Sequence, residues 1–280
     1  MVLNFMTNDF IIIWNLLFGA SISSESQDFK TTVWKKYRKQ YESLQNDQRI
    51  MIRNIKNFIP DDDTIYNLAL ESKMYEKIKK DADKHRIFLM QVWDKNKKAI
   101  AKNLLEIMRM PFDTEYQILV VPPKMNVVYY DYANEENIIV WGRESDMQSG
   151  LGAILSIVYS TVRYKIGNYK PEYKDILKAV LELAINNELY TRITGKSNYT
   201  AGMGDPTLKF LKKQIYPYWL MYLGATEDTL TKYMMRDKIA FDIEEYKIEE
   251  ELSKIDLIGF IDFCIRNQKQ ILRIDDLEII

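Results

Sequence analysis

Chain breakers are scarce in this sequence: 10 Gly and 7 Pro are spread over 280 residues. Glycine and proline are the strongest local punctuation, so long uninterrupted elements are predicted. Glu, Lys, Leu, Ile and Met dominate what lies between the breakers, and these residues lose little side-chain freedom in a helix. Hydrophobic residues make up 47% of the chain, which specifies a packed core rather than disorder. The length suffices for one large domain or two small ones. Neither an internal repeat nor a low-complexity linker divides the chain.

Charge and residue counts exclude several functions. Forty acids, 40 by count, face 39 bases for a net charge of −1, which provides no strong field for a phosphate backbone or an acidic membrane. No nucleic-acid partner is expected. The longest apolar stretch, residues 10–20, falls short of the roughly 20 residues a membrane span needs. Asn8 and Asp9 precede it where a signal peptide would carry lysines. It reads as a buried first helix, and the chain as cytoplasmic. The single cysteine, Cys264, excludes an intrachain disulfide framework and a thiolate-rich zinc site. The single histidine, His85, excludes a metal site built on two imidazoles. Neither a cofactor nor a metal is expected.

The fold class predicted is mainly α (α+β), as one compact unit with an N-terminal helical lobe or as two lobes meeting around residues 111–145. Residues 1–110 form a helical lobe. Within it, Phe29, Val33, Tyr37, Tyr41 and Leu44 recur near helical spacing, and Pro60 ends that run. Asp61, Asp62 and Asp63 precede Ile65, Leu68 and Ala69, and acids there suit a helix N-terminus. Residues 73–110 form a long charged helix broken once, with His85 on a solvated face between Lys84 and Arg86. Residues 111–280 hold a small sheet followed by helices. Three short β-branched runs, 116–121, 126–130 and 138–141, predict an antiparallel or mixed sheet. Leu151, Ile154, Leu155, Val158 and Val162 then mark a helix ended by Gly167. Pro171 opens another that runs to about Thr191. A helix over 206–223 is interrupted at Pro217, and Met234, Met235, Ile239 and Phe241 form a core stripe.

Phosphate-binding and hydrolase motifs fail on inspection. Gly195-Lys196-Ser197 ends like a P-loop, but Tyr190 stands where the loop's first glycine belongs and a helix precedes it. Gly202-Met203-Gly204 lacks the third glycine of a dinucleotide fingerprint. No Gly-x-Ser-x-Gly elbow occurs. Cys264 lies in an apolar helical run, where nothing would stabilise a thiolate.

One arrangement has a counterpart among known families. A small sheet, a helix, a short connection and a second helix carrying Glu182 and Asn186 follow in order over residues 116–192. That order resembles the core of gluzincin-type zinc metallopeptidases. There the first helix carries His-Glu-x-x-His, whose histidines hold zinc, and the second supplies a glutamate ligand and a residue that orients a histidine. The resemblance places the five-residue motif on Gly152, Ala153, Ile154, Leu155 and Ser156, with Glu182 as third ligand and Asn186 behind it. Both histidines and the water-activating glutamate are replaced. What the resemblance implies is an inactive, degenerate scaffold that binds a peptide or protein ligand in the groove between the sheet edge and helix 151–166. Read from the residues alone, Gly152, Ser156 and Ser160 are a small-residue packing stripe, and Glu182 pairs with a base such as Lys178.

Three functions follow as alternatives. The first is a non-catalytic binding protein on that degenerate scaffold. The second is a helical interaction module without enzymatic ancestry, for which 19 tyrosines and 5 tryptophans are suited. The third is a metal-dependent enzyme using carboxylates such as Asp61, Asp146 or Glu188.

Overall fold

The computed structural model describes residues 1–19, 23–46, 63–123, 125, 137–167, 169–195, 204–237 and 251–271, with the side chains of 144 and 233–237 excepted. It is mainly α with a small sheet. The chain forms two units, each drawn from two stretches of sequence: Met1–Lys97 with Asp113–Thr161, and Lys98–Phe112 with Val162–Ile280. The N-terminal strand Val2–Met6 pairs with residues beyond 110, in Glu115–Val120.

In the first unit that pairing builds the sheet. Strand β1 (Val2–Met6) lies beside β2 (Glu115–Val120), and β2 beside β3 (Ile138–Trp141), in the order β1-β2-β3. Both pairs are parallel, with Leu3 opposite Tyr116 and Ile118 opposite Ile139. This corrects two expectations: the N-terminal region is not wholly helical, and among the described residues the strand pairing is parallel, not antiparallel or mixed. Parallel neighbours need long crossovers, and the described residues between β1 and β2 are mostly helical. Burial on both faces explains the unalternated apolar runs: every residue of β3 is buried, as are Ile118, Leu119 and Val120 in β2. The third expected strand, 126–130, lies outside the described residues.

Helix α1 (Asp9–Phe18) follows β1 directly, started by the Asn8 side chain accepting from the Ile11 N–H at 2.9 Å. Its residues Phe10 to Leu17 are all buried, as expected of an apolar helix. Helix α2 (Ser24–Lys36) begins with a reciprocal cap between Ser23 and Ser26 and gives way at Tyr37 to α3 (Arg38–Gln45). Helix α4 (Thr64–Leu70) is preceded by Asp63, whose side chain makes no capping bond, so the acids before it do not cap through that residue. Asp61 and Asp62 lie outside the described residues. Helix α5 (Lys73–Met108) is unbroken for 36 residues, about 54 Å, where one break was expected. Helix α6 (Gly150–Ile166) presents Ile154, Ile157, Val158 and Val162 to the interior.

In the second unit, helix α7 (Lys174–Leu181) continues as a π-helical segment, Glu182–Leu189, and ends as α8 (Tyr190–Thr194). Helix α9 (Lys209–Tyr222) runs through Pro217 rather than stopping there. Its aromatic face explains why. Tyr218, Trp219 and Tyr222 pack on Phe260 and Phe263 of α11 (Leu257–Arg266) at centroid distances of 4.9–5.6 Å, outweighing the lost backbone bond. Between them in sequence lies α10 (Glu227–Asp237). The Met234, Met235, Ile239 and Phe241 stripe falls outside the described side chains. Among the described residues, no helix is long and apolar enough to cross a membrane.

Candidate ligand cleft at the carboxyl edge of the sheet

Because the strands are parallel, Met6, Val120 and Trp141 all end on one edge of the sheet. In open parallel sheets ligands bind outside the carboxyl ends of the strands where the strand order reverses. The order β1-β2-β3 has no reversal among the described strands, so the site rests on its own lining. A cleft of about 530 Å³ lies at this edge, within the size range of small-molecule sites. One wall is a stripe of α5: Met74, Lys77, Ile78, Asp81, Lys84 and His85 line it at spacings of three and four residues. The opposite wall comes from the strand exits, Pro122 and Pro123 after β2 and Met147 and Gln148 after β3. Ser23, at the start of α2, completes the lining.

One lining residue, His85, belongs to a buried polar cluster. The Val121 carbonyl accepts from His85 Nδ1 at 2.8 Å. A carbonyl only accepts, so the proton on Nδ1 is fixed. The other ring nitrogen, Nε2, lies 3.1 Å from Asp146 Oδ2. That same oxygen accepts from Trp141 Nε1–H at 2.8 Å and from the Arg143 N–H at 3.0 Å. The Arg143 guanidinium covers the Trp141 ring at 4.3 Å. Helix α5 is thereby tied to the ends of β2 and β3. His85 is not on a solvated face; it is 1% exposed, because the strand exits close over it.

Gly142 lets those exits run side by side. A Cβ there would come within 2.5 Å of Val121 Cγ2 and 2.9 Å of the Pro122 carbonyl. Next to the cleft, at the start of α1, Asp9 meets Lys79 at 2.9 Å. Burial pushes the Asp9 carboxyl up, but the Tyr75 hydroxyl and the Lys79 ammonium outweigh this and hold it below the usual carboxylate range. The Tyr75 hydroxyl is pushed up to about 12 by burial and by Asp9.

The residues placed by the gluzincin resemblance fall in both units. On α6, Ala153 is buried while Gly152 and Ser156 are half-buried. The Gly152 N–H donates to Ser149 Oγ at 3.3 Å, and the Ser156 carbonyl accepts from Ser160 Oγ at 3.0 Å. These residues belong to the first unit, whereas Glu182 and Asn186 belong to the second. Asn186 is half-buried in the π-helical segment. Glu182 is 4% exposed and both its oxygens are engaged. Oε2 meets the fully buried Lys212 ammonium at 2.6 Å, and Oε1 accepts from the Asp205 N–H at 2.9 Å. The base beside Glu182 is thus Lys212, not the expected Lys178. Gly204 passes so close to this carboxylate, at φ +97°, that any side chain there would collide with it. That is the physical use of the glycine in the failed dinucleotide motif.

The carboxylates considered for metal chemistry are similarly occupied. Asp146 accepts from Trp141, Glu188 pairs with Arg192 at 2.7 Å, and Asp61 lies outside the described residues. Among the described residues, no group of three or more His, Cys, Asp or Glu side chains converges as a metal site. Cys264 is buried on α11, and burial pushes its thiol far up.

Sequence reasoning missed the cleft. Its signals were present in the α5 stripe from Met74 to His85 and in the Pro122-Pro123 and Gly142 breaks that follow two apolar runs. What hid it was the third parallel strand at the N-terminus, which defines the edge. No protein-family model, curated protein or solved structure matches the chain.

Proposed function

We propose that this chain is a non-catalytic binding protein and that its ligand site is the cleft at the carboxyl edge of the parallel sheet. The observation that carries the reading is the cleft itself: apolar side chains at the strand exits, together with a stripe of α5 that includes the buried His85, whose Nδ1–H is donated to the Val121 carbonyl. A general base needs a ring nitrogen directed at its substrate. The chain's single imidazole has one nitrogen on the Val121 carbonyl and the other against Asp146. The single thiol is buried and resists ionisation. Binding, rather than turnover, is what these groups support.

This reading keeps the expected binding role and moves its location. The zincin-like groove would have used the sheet edge beside helix α6. Here the ligand lies against α5 and the strand exits, and the argument for binding does not draw on peptidase ancestry.

A neutral apolar fluorophore, N-phenylnaphthylamine, tests the site. Saturable binding at one molecule per chain is expected, and it should be lost when Ile78→Trp fills the cleft. Met147→Trp, at a half-exposed wall position, serves the same purpose without burdening the core. Binding that survives both substitutions in folded protein would refute the assignment.

A further inference from the structure

A second pocket, of about 350 Å³, lies among α1, α2 and α3 of the first unit and shares no lining residue with the cleft. Three aromatic rings line it: Phe18 at the end of α1, Trp34 on α2 and Tyr41 on α3. Phe18 and Tyr41 meet edge to face at 4.7 Å. The Tyr41 hydroxyl donates to the Leu17 carbonyl at 2.6 Å, so this residue offers the pocket its ring rather than a donor. Trp34 is 41% exposed, with the Arg38 guanidinium over its ring at 5.1 Å. Rings in this arrangement hold a flat aromatic guest by stacking and edge contacts.

Among the described residues of this lining, Lys30 is the one amine. It stands four residues before Trp34, on the same face of α2. Its Nζ reaches across to α1 and donates to the Gly19 carbonyl. Lys77, Lys79 and Lys84 each meet a carboxylate, whereas among the described residues no acid pairs with Lys30. Half-burial without a counter-charge disfavours the ammonium and holds this amine below the usual lysine range. A lysine desolvated beside apolar rings is a nucleophile toward carbonyl compounds. The neutral amine carries two N–H groups, so it keeps the Gly19 bond while its lone pair faces a guest.

We propose that this pocket is a covalent carbonyl site, in which Lys30 Nζ condenses with a small aromatic aldehyde whose ring packs among Phe18, Trp34 and Tyr41. The Nζ lone pair forms a bond to the carbonyl carbon. Both N–H protons leave with the carbonyl oxygen as one water, and a C=N bond remains. No oxidant or reductant takes part. The imine then takes up a proton from solvent, and its N–H donates to the Gly19 carbonyl as the amine did.

The test uses 2-naphthaldehyde on the full chain near neutral pH, with cyanoborohydride to reduce the imine to a stable amine. Mass spectrometry should find one naphthylmethyl group per chain. Peptide mapping should place it on Lys30, formed about tenfold faster than on any other lysine. Excess 2-naphthalenemethanol, the unreactive alcohol with the same ring, should slow labelling of Lys30 and leave surface lysines unaffected. Lys30→Arg should abolish the fast adduct, and the map of the native chain decides the matter even if that variant does not fold. Labelling spread evenly over exposed lysines, or a fast adduct at another position, would overturn the proposal. So would labelling of Lys30 that the alcohol does not slow, because the rings would then play no part. Saturable binding of 2-naphthoate without reaction of the aldehyde would replace the covalent site with an ion pair.

Discussion

His85 Nε2 lies 3.1 Å from Asp146 Oδ2, with the two side chains 0% and 2% exposed. The pair joins the middle of α5 to the turn after β3, and the same carboxylate oxygen holds Trp141 and the Arg143 backbone. Removing the carboxylate therefore strands two donors at once, Trp141 Nε1–H and the Arg143 N–H. Asp146→Ala should cost about 3–5 kcal/mol, the range for an uncompensated buried polar network. Urea denaturation followed by tryptophan fluorescence would measure it. A loss below about 1 kcal/mol would mean that the network does not tie α5 to the strand ends.

Glu182 and Lys212 form the corresponding buried pair of the second unit, 2.6 Å apart. Lys212→Met should destabilise by about 3–5 kcal/mol because it leaves Glu182 charged and buried. Adding Glu182→Gln should recover much of that loss, since the uncompensated charge is gone and the amide oxygen can still accept from the Asp205 N–H. A double-mutant cycle on unfolding free energies tests this, and strict additivity of the two losses would contradict it.

Asp9 predicts an acid dependence. Its carboxyl is held below the usual range by Tyr75 and Lys79 against the opposing effect of burial. A carboxylate whose value is lower in the folded chain than in the unfolded one stabilises above the unfolded value, about 3.9. That stabilisation is lost as pH falls through the folded value. Asp9 and Lys79 are 43% and 39% exposed, so screening limits the effect to under about 1 kcal/mol. Asp9→Asn should lower the urea midpoint at pH 6 and leave it unchanged at pH 2. Equal differences at both pH values would show that the loss is packing and not charge.

Cys264 should be silent in the folded protein. It is buried on α11, and burial opposes its ionisation. An aromatic disulfide reagent should label no thiol in native buffer and one per chain in guanidinium. Rapid labelling of the native protein would place this helix face in solvent.

How much of this could be read beforehand depends on the range of the interaction involved. The α1 helix, the end of α6 near Gly167, the opening at Pro171 and the burial of Cys264 follow from neighbours a few residues away, and each was legible. Pro217 was misread because a breaker acts locally while the Tyr218, Trp219 and Tyr222 contacts to Phe260 and Phe263 cross about 40 residues of chain. His85 was misread for the same reason. Lys84 and Arg86 beside it imply solvent, and nothing nearby in sequence announces Val121 or Asp146.

A mainly helical chain with a short β region was legible from residue types and spacing alone, and single His and Cys counts exclude paired imidazoles and an intrachain disulfide. Composition and helical spacing are properties of residues and their near neighbours, so they need no fold to be expressed. Three-dimensional packing sets the parallel pairing that includes Val2–Met6, brings the strand exits together around a cleft, buries His85 beside Asp146 and engages both oxygens of Glu182. The physical reason is sequence separation. Register across more than a hundred residues, and the partner of a buried charge, depend on which surfaces meet once the core has formed, and no local pattern encodes that meeting.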